Sequence, residues 1–154
     1  MAFFHAWAMT HYVESGPRMK KAEELSLAER AKVLLTGVRI PRPTNRMSEE
    51  EVGPGCRTVV CSPEGGGKLE GWWLPASGPE EGLSCGTVIL FHGYAGSRQS
   101  LVRQGREFAA MGWHALLVDF RGSGGSEGTV TSVGYHEAVD VVNAVAELLP
   151  HRGP

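Results

Sequence analysis

Two glycine-containing loops hold most of the residues that could do chemistry. The first is His92-Gly-Tyr-Ala-Gly96, directly after an apolar run, and the second extends from Asp119 to Gly128. Acyl transfer passes through a tetrahedral oxyanion, which needs N–H donors already in place where the charge develops. A tight turn after a strand can aim such a donor, although a His-Gly pair also often does no more than end a strand. The pair alone leaves both interpretations open.

Two serines lie in G-x-S-x-G patterns, Gly82-Leu-Ser84-Cys-Gly86 and Gly124-Gly-Ser126-Glu-Gly128. A serine nucleophile of this type needs a buried strand immediately before it and a helix immediately after it. Ser84 follows a polar stretch and precedes a strand, and Ser126 lies inside a loop. We therefore interpret neither serine as a nucleophile.

Cofactor and metal sites are not predicted. The second loop lacks G-x-G-x-x-G spacing, which argues against phosphate binding. Cys56, Cys61 and Cys85 lack C-x-x-C spacing, so we expect reduced thiols and neither a disulfide framework nor a zinc site. Early on the last helix, His136, Glu137 and Asp140 are predicted to be a solvated first turn or two, because such spacing is common on exposed helical faces.

The charge balance favours a small-molecule partner. The 154 residues include 15 basic and 17 acidic side chains, a net charge of -2 that creates no strong field for nucleic acid or anionic lipid. The run Met1–Met9 is apolar but contains His5, and it is shorter than the roughly 20 residues of a membrane span. Cytoplasmic location is the default expectation. The alternative is anchoring through this run or through a segment upstream of it.

The N-terminal third is predicted to be an extension with one helix. Ser26-Leu-Ala-Glu29 has capping-box spacing, so we expect a helix over about residues 26–36 that ends at Gly37. Pro41–Pro54 contains three prolines and a Glu-Glu-Glu run, which is typical of a linker or surface loop. We therefore expect an extension over residues 1–55 and a compact domain over residues 56–154.

The remaining pattern predicts an antiparallel hairpin and then a β-α-β unit. Thr58–Cys61 and Leu69–Leu74 are the hairpin strands, joined by a glycine-rich turn. Thr87–Phe91 is apolar at almost every position, which predicts a central parallel strand covered on both faces. A helix and the strand His114–Phe120 complete the crossover. A last helix from about Ser132 places on one face Tyr135, Val139, Val142, Ala146 and Leu149.

Residues from about Arg57 to Leu149 resemble the opening half of α/β-hydrolases, especially the serine aminopeptidase-like and small esterase branches. The resemblance is carried by Thr87-Val-Ile-Leu-Phe-His-Gly-Tyr-Ala-Gly-Ser97 and Asp119-Phe-Arg-Gly-Ser-Gly-Gly-Ser-Glu-Gly128, in this order and one β-α unit apart. Gly71-Trp-Trp-Leu-Pro75 and Thr36-Gly-Val-Arg-Ile-Pro41 are weaker matches. The implied fold class is α/β, the N-terminal half of an α/β-hydrolase fold truncated before the nucleophile.

The resemblance also implies roles for single residues. The backbone N–H of Tyr94 would be the first oxyanion donor, with Gly93 allowing the turn and Gly96 allowing the chain to leave it. His92 would be structural, since the catalytic base of the family lies downstream. The second loop would shape the rim of the site: Asp119 and Arg121 would bond loop backbone, and the glycines would permit close packing, in a set that comprises Asp119, Arg121, Gly122, Gly124 and Ser126.

The implied activity of the complete form is hydrolysis of small ester- or amide-type acyl substrates by Ser–His–Asp chemistry. Because nucleophile, acid and base are expected to lie outside these residues, we expect this chain alone to be inactive. The alternative is a short non-catalytic binding module, or a pseudogene product, with half the fold. The nucleotide sequence beyond Pro154 would separate the two.

Overall fold

Four strands form one mixed sheet in the computed structural model, which describes residues 2–14, 16, 22–62, 67–78 and 84–148. The strands are β1 (Arg57–Cys61), β2 (Leu69–Leu74), β3 (Gly86–Phe91) and β4 (Trp113–Asp119), in the spatial order β1-β2-β4-β3. β2 pairs antiparallel with both β1 and β4, whereas β3 pairs parallel with β4. The predicted hairpin and parallel pair are confirmed, and hairpin-loop residues 63–66 lie outside the described residues.

The helices are α1 (Ala2–Thr10), α2 (Leu27–Thr36), α3 (Glu49–Val52), α4 (Val102–Ala110) and α5 (Tyr135–Leu148). α4, preceded by a 3-10 turn, connects β3 to β4 and completes the β-α-β unit. In the part of the chain that the structure describes, no helix has the length and apolar character to cross a membrane.

The capping box predicted for the first helix after the N-terminal run is confirmed. The Ser26 hydroxyl accepts the Glu29 N–H, and the Glu29 carboxylate accepts the Ser26 N–H at 2.8 Å. These bonds satisfy donors that a helix start leaves open. Gly37 ends α2 with a φ of 78°, a value that glycine adopts without steric cost.

The core lies between the sheet and the helix α4. Ala115 and Leu117 of β4 have no exposed surface, and they pack with Trp72, Leu74 and Val102. An added Cβ at Gly105 of α4 would lie 2.8 Å from the Leu117 side chain, so the absence of a side chain there brings helix and strand together. The resulting core supports the end of the sheet from which both glycine-containing loops leave.

Thr87–Phe91 lies in the parallel strand predicted for it, and in this chain that strand is not central among the described strands. β3 is at the edge of the sheet, because β4 is its one pairing partner among the described strands. Its residues are accordingly half-buried, whereas the central β4 is almost completely buried.

The interpretation of residues 41–54 as a linker or surface loop is wrong for residues 48–52. Ser48 caps the short helix α3, and Val52 is fully buried in the core. The Arg106 guanidinium donates to the carbonyl oxygens of Val52, at 2.8 Å, and Glu51. The packed domain therefore includes residues before Cys56, because Val52 supplies core surface in spite of the polar sequence around it.

The apolar residues predicted to share one face of the last helix do so, but that face is exposed. Tyr135, Val139 and Val142 are at least half exposed, and Leu149 lies outside the described residues. The buried face of α5 carries Glu137, Asp140 and Ala144 instead.

Candidate active site

The candidate site lies at the carboxyl ends of the parallel strands β3 and β4, where the two glycine-containing loops leave the sheet. Ligands of open α/β sheets bind at this edge. A cleft of about 340 Å³ opens here. Its walls come from both loops, the start of α5 and the N-terminal segment, and they include Tyr12, His92, Gly93, Tyr94, Phe120, Arg121, Thr131, Glu137 and Val141.

The turn after β3 is closed by a hydrogen bond from the Gly96 N–H to the Gly93 oxygen, at 3.1 Å. Its left-handed residue is Ala95, with φ 53°, a conformation that costs a non-glycine residue about 1–2 kcal/mol. Gly93 does not have a positive φ, and an added Cβ there would meet nothing within 4 Å. The predicted conformational role of Gly93 is therefore wrong. Gly96 is needed, because its Cβ would lie 3.0 Å from the Gly93 oxygen.

The backbone N–H groups of this turn are not all used. The Ala95 N–H donates to the Tyr12 hydroxyl at 3.3 Å, and the Gly96 N–H is used within the turn. The Tyr94 N–H donates to none of the residues that the structure describes, and Tyr94 lines the cleft. The turn thus leaves the Tyr94 N–H beside the cleft, where it can donate to a new partner.

His92 supports the turn, as predicted. The Phe120 N–H donates to Nε2 of His92 at 3.1 Å, so Nε2 carries the lone pair. The proton is therefore on Nδ1, which donates to the Gly93 oxygen at 2.8 Å. Although Nε2 is 4.0 Å from Oδ1 of Asp119, this tautomer forms no ion pair. His92 connects the turn after β3 to the end of β4.

Asp119 is fully buried and bonds loop backbone, as predicted. Its Oδ1 accepts the Arg98 N–H at 2.6 Å, and its Oδ2 accepts the Gly125 N–H at 3.0 Å. Its partners also include Nδ2 of Asn45 at 2.7 Å and the Arg98 guanidinium at 3.1 Å. The same guanidinium contacts Glu70 at 2.7 Å. Sequence reasoning missed Arg98, Asn45 and Glu70, since no local pattern connects residues so far apart.

The second loop packs closely around Asp119, which confirms the predicted use of its glycines. Gly124 has φ 52°, and an added Cβ would lie 1.8 Å from Oδ2 of Asp119. Gly122 has φ 77°, and an added Cβ there would lie 2.8 Å from the Val130 oxygen. Ser126 is buried; its hydroxyl donates to the Asp119 backbone oxygen at 2.6 Å and accepts the Glu70 N–H at 2.9 Å.

Neither serine of a G-x-S-x-G pattern is placed to attack a substrate in the cleft. The hydroxyl of Ser126 is already used on both sides and is not exposed. Ser84 precedes β3, at the amino end of the strand, whereas the cleft lies at the carboxyl end.

The prediction that Arg121 bonds loop backbone through its side chain is wrong. The guanidinium instead pairs with Asp140 of α5, with 2.9 Å between Nε and Oδ2. Hydrogen bonding to this carboxylate raises the pKa of Arg121. Asp140 is 2% exposed, so the prediction of a solvated residue is wrong for it too, because Arg121 compensates its buried charge.

Glu137 is buried as well, contrary to the same prediction, whereas His136 is exposed as expected. Burial opposes the charge of the Glu137 carboxylate, but hydrogen bonds from Ser132, Thr131 and Gly134 outweigh burial and lower the pKa of Glu137 to about 2. The Gly134 N–H precedes α5, so this carboxylate caps the helix from its third position. Among the described residues, no group of three or more side chains could hold a metal ion.

The N-terminal segment reaches the site, which the sequence did not predict. The Tyr12 N–H donates to the Thr129 oxygen and the Thr131 N–H donates to the Thr10 oxygen, both at 2.8 Å. Tyr12 is 7% exposed, and this burial raises the pKa of its hydroxyl. The Tyr94 hydroxyl donates to the Met9 oxygen at 2.5 Å.

Comparison with known proteins identifies the fold and the family type. Residues 45–148 match the sequence profile of the X-Pro dipeptidyl-peptidase (S15 family). The structure is similar to that of the Pyrococcus furiosus esterase Pf2001, with 31% identity and a TM-score of 0.62 over 75% of this chain. An alpha-beta hydrolase from Vibrio vulnificus shares 19% identity over 94% of this chain, with a TM-score of 0.55, which shows the fold alone. No curated protein matches the chain significantly.

These findings confirm the predicted resemblance to α/β-hydrolases and to their esterase-type members. The chain spans 44% of the length of the Pyrococcus furiosus esterase and 50% of the Vibrio vulnificus hydrolase. Residues 45–148, which match the family profile, contain the hairpin, the β-α-β unit and both loops that border the cleft.

Proposed function

Because the chain belongs to the X-Pro dipeptidyl-peptidase (S15) family of α/β-hydrolases, we propose that it forms the oxyanion side of a serine hydrolase active site. The proposed reaction of the complete protein is hydrolysis of ester- or amide-type acyl compounds. The observation that carries this proposal is the Tyr94 N–H, which lines the cleft without a partner among the described residues.

In the proposed mechanism, the acyl carbonyl of the substrate points its oxygen at the Tyr94 N–H. As a nucleophile attacks the carbonyl carbon, the electron pair of the C=O bond moves onto that oxygen. One preorganised N–H donor at this position is worth about 3 kcal/mol of transition-state stabilisation. The nucleophile, the acid and the base are supplied by the complete form, since Ser84 and Ser126 are unsuited to attack.

The walls of the cleft favour an uncharged acyl group. The apolar surface of these walls includes Tyr94, Phe120 and Val141. The two charged side chains in the lining are already compensated, Arg121 by Asp140 and Glu137 by the turn before α5. A charged substrate group would therefore find no free counterion in these walls.

The test uses two substitutions at Tyr94 in the complete protein, with p-nitrophenyl acyl esters as substrates. Tyr94→Phe keeps the backbone N–H and should retain most of the turnover. Tyr94→Pro lacks the N–H and should lower kcat by about 100-fold or more. Because proline can distort the turn, circular dichroism and a thermal melt must show that this variant is folded. A large loss of kcat with a folded Tyr94→Phe variant would contradict the backbone assignment.

A second measurement concerns this chain alone. We expect no stoichiometric labelling by a fluorophosphonate probe, because removal of a serine nucleophile lowers turnover by about 10⁶-fold. Labelling of Ser84 or Ser126 in the 154-residue chain would contradict the proposed division of the site.

A further inference from the structure

We propose that Tyr12 is a positioning residue of the active site, which holds the turn that carries the Tyr94 donor. This inference rests on the proposed function. Tyr12 lies outside residues 45–148, the part of the chain that matches the family. The N-terminal segment would then complete the site and not merely precede the domain.

The segment around Tyr12 is fixed to the domain on two sides. On one side, Thr10 and Tyr12 exchange backbone hydrogen bonds with Thr131 and Thr129, which directly follow the second loop. On the other side, the Val13 N–H donates to the Ile40 oxygen at 3.0 Å, and the Arg42 N–H donates to the Val13 oxygen at 2.8 Å. The segment is therefore held like a strand between two parts of the domain, and it brings a buried phenol to the cleft.

The Tyr12 hydroxyl contacts the turn at its most constrained residue. It accepts the N–H of Ala95, the left-handed residue, at 3.3 Å, and no other described residue accepts this N–H. The Ala95 N–H belongs to the peptide plane that directly follows Tyr94. A restraint on that plane limits rotation at Tyr94 and so keeps the preceding N–H aimed at the cleft. Hydrolysis depends on this aim, since a donor stabilises the oxyanion only where it already points.

The polar surroundings of the hydroxyl suit this role. Burial raises the pKa of the Tyr12 hydroxyl, and the Glu137 carboxylate raises it further, which outweighs the lowering by the Ala95 N–H and by the Thr131 and Ser123 side chains. Tyr12 therefore remains a neutral phenol whose oxygen can accept the Ala95 N–H. The ring is also 6.4 Å from that of Tyr94, centroid to centroid, so ring and hydroxyl restrain the same turn.

The experiment compares Tyr12→Phe with Tyr135→Phe in the complete protein. Tyr135 is 78% exposed at the start of α5, which makes its substitution a matched control for loss of a phenol hydroxyl. The first readout is amide hydrogen exchange of the peptide that contains Ala95, which should become faster in Tyr12→Phe only. This readout does not depend on catalysis.

The second readout separates turnover from binding. Tyr12→Phe should lower kcat about tenfold, since small misplacements of catalytic groups have effects of this order, while KM changes little. A trifluoromethyl ketone, which forms a tetrahedral oxyanion adduct, should bind about tenfold more weakly to this variant. A general loss of structure would instead lower the melting temperature and the fraction of active enzyme, and it would leave the inhibitor affinity of the active enzyme unchanged.

The outcomes distinguish this inference from the proposed function. Absence of hydrolysis by the unsubstituted protein would overturn the proposed function and this inference with it. An active enzyme whose Tyr12→Phe variant keeps its kcat and its inhibitor affinity would overturn this inference alone. Unchanged exchange at Ala95 would overturn it as well, because the contact would not then restrain the turn.

Discussion

Glu137→Gln should destabilise the protein, because the Glu137 carboxylate is buried. The carboxylate accepts four hydrogen bonds, from the N–H and hydroxyl of Ser132, the Thr131 hydroxyl and the Gly134 N–H, over distances of 2.5–3.0 Å. Glutamine keeps the shape but replaces one acceptor oxygen with an NH₂ group. The NH₂ group would face N–H and O–H donors, whose hydrogen bonds it cannot accept.

The magnitude follows from the pKa of Glu137, which is lowered from 4.5 to about 2. A carboxyl whose pKa is depressed on folding contributes stability that is fully present above the unfolded pKa and is lost as pH falls through the folded pKa. The shift corresponds to about 3 kcal/mol near neutral pH. The contribution should still be about 3 kcal/mol near pH 5 and should fall to about half of that near pH 3.

The assay is urea unfolding of the 154-residue chain at low protein concentration, followed by tryptophan fluorescence at both pH values. Glu107→Gln is the control, because Glu107 is exposed and its ion pair with Arg103 is worth less than about 0.5 kcal/mol. The unfolding free energy of Glu137→Gln should be lower than that of the control by about 3 kcal/mol near pH 5. Equal free energies for the two variants, or a difference that does not shrink at acid pH, would refute the reasoning.

Two further expectations concern thiols and association. Burial, and secondarily the nearby Glu147, raises the pKa of Cys61 to about 12. At neutral pH, iodoacetamide should therefore modify the exposed Cys85 before Cys61, which mass spectrometry would show. Equal rates of modification at the two thiols would contradict this. The edge strand β3 presents unpaired N–H and C=O groups and no charged residue. Sedimentation velocity of this chain should therefore show association that increases with protein concentration. The substitution Thr87→Lys should reduce this association. A wild-type chain that stays monomeric at every concentration would count against this account of the edge.

The glycine positions of the second loop were predictable because they depend on residues close together in sequence. Gly124 must be glycine because Asp119, five residues earlier, occupies the space of its Cβ. Capping of α2 by Ser26 and pairing within the hairpin are local in the same sense. The glycine and capping patterns therefore predicted both the motifs and the elements that present them.

The errors concern residues whose environment depends on partners elsewhere in the chain. Asp140 looked solvated from its place early on a helix, but Arg121, 19 residues away, makes its burial possible. Val52 looked like part of a linker because its neighbours are polar, yet it fills the core. Tyr12 is 83 residues from Ala95 and lies in no periodic pattern. Helical or strand periodicity carries no information about such contacts.

The same long-range contacts explain how a turn with little regular structure can serve as a preorganised donor. Asp119 accepts one N–H from Arg98, after the first loop, and one from Gly125 of the second, so a single buried carboxylate fixes the two loops relative to each other. His92 connects the turn to β4 from the sheet side, and Tyr12 contacts it from the N-terminal side. A donor held from both sides loses little energy to reorganisation when charge develops. If the proposed function holds, the buried polar residues of the second loop therefore affect catalysis even though none of them need touch the substrate.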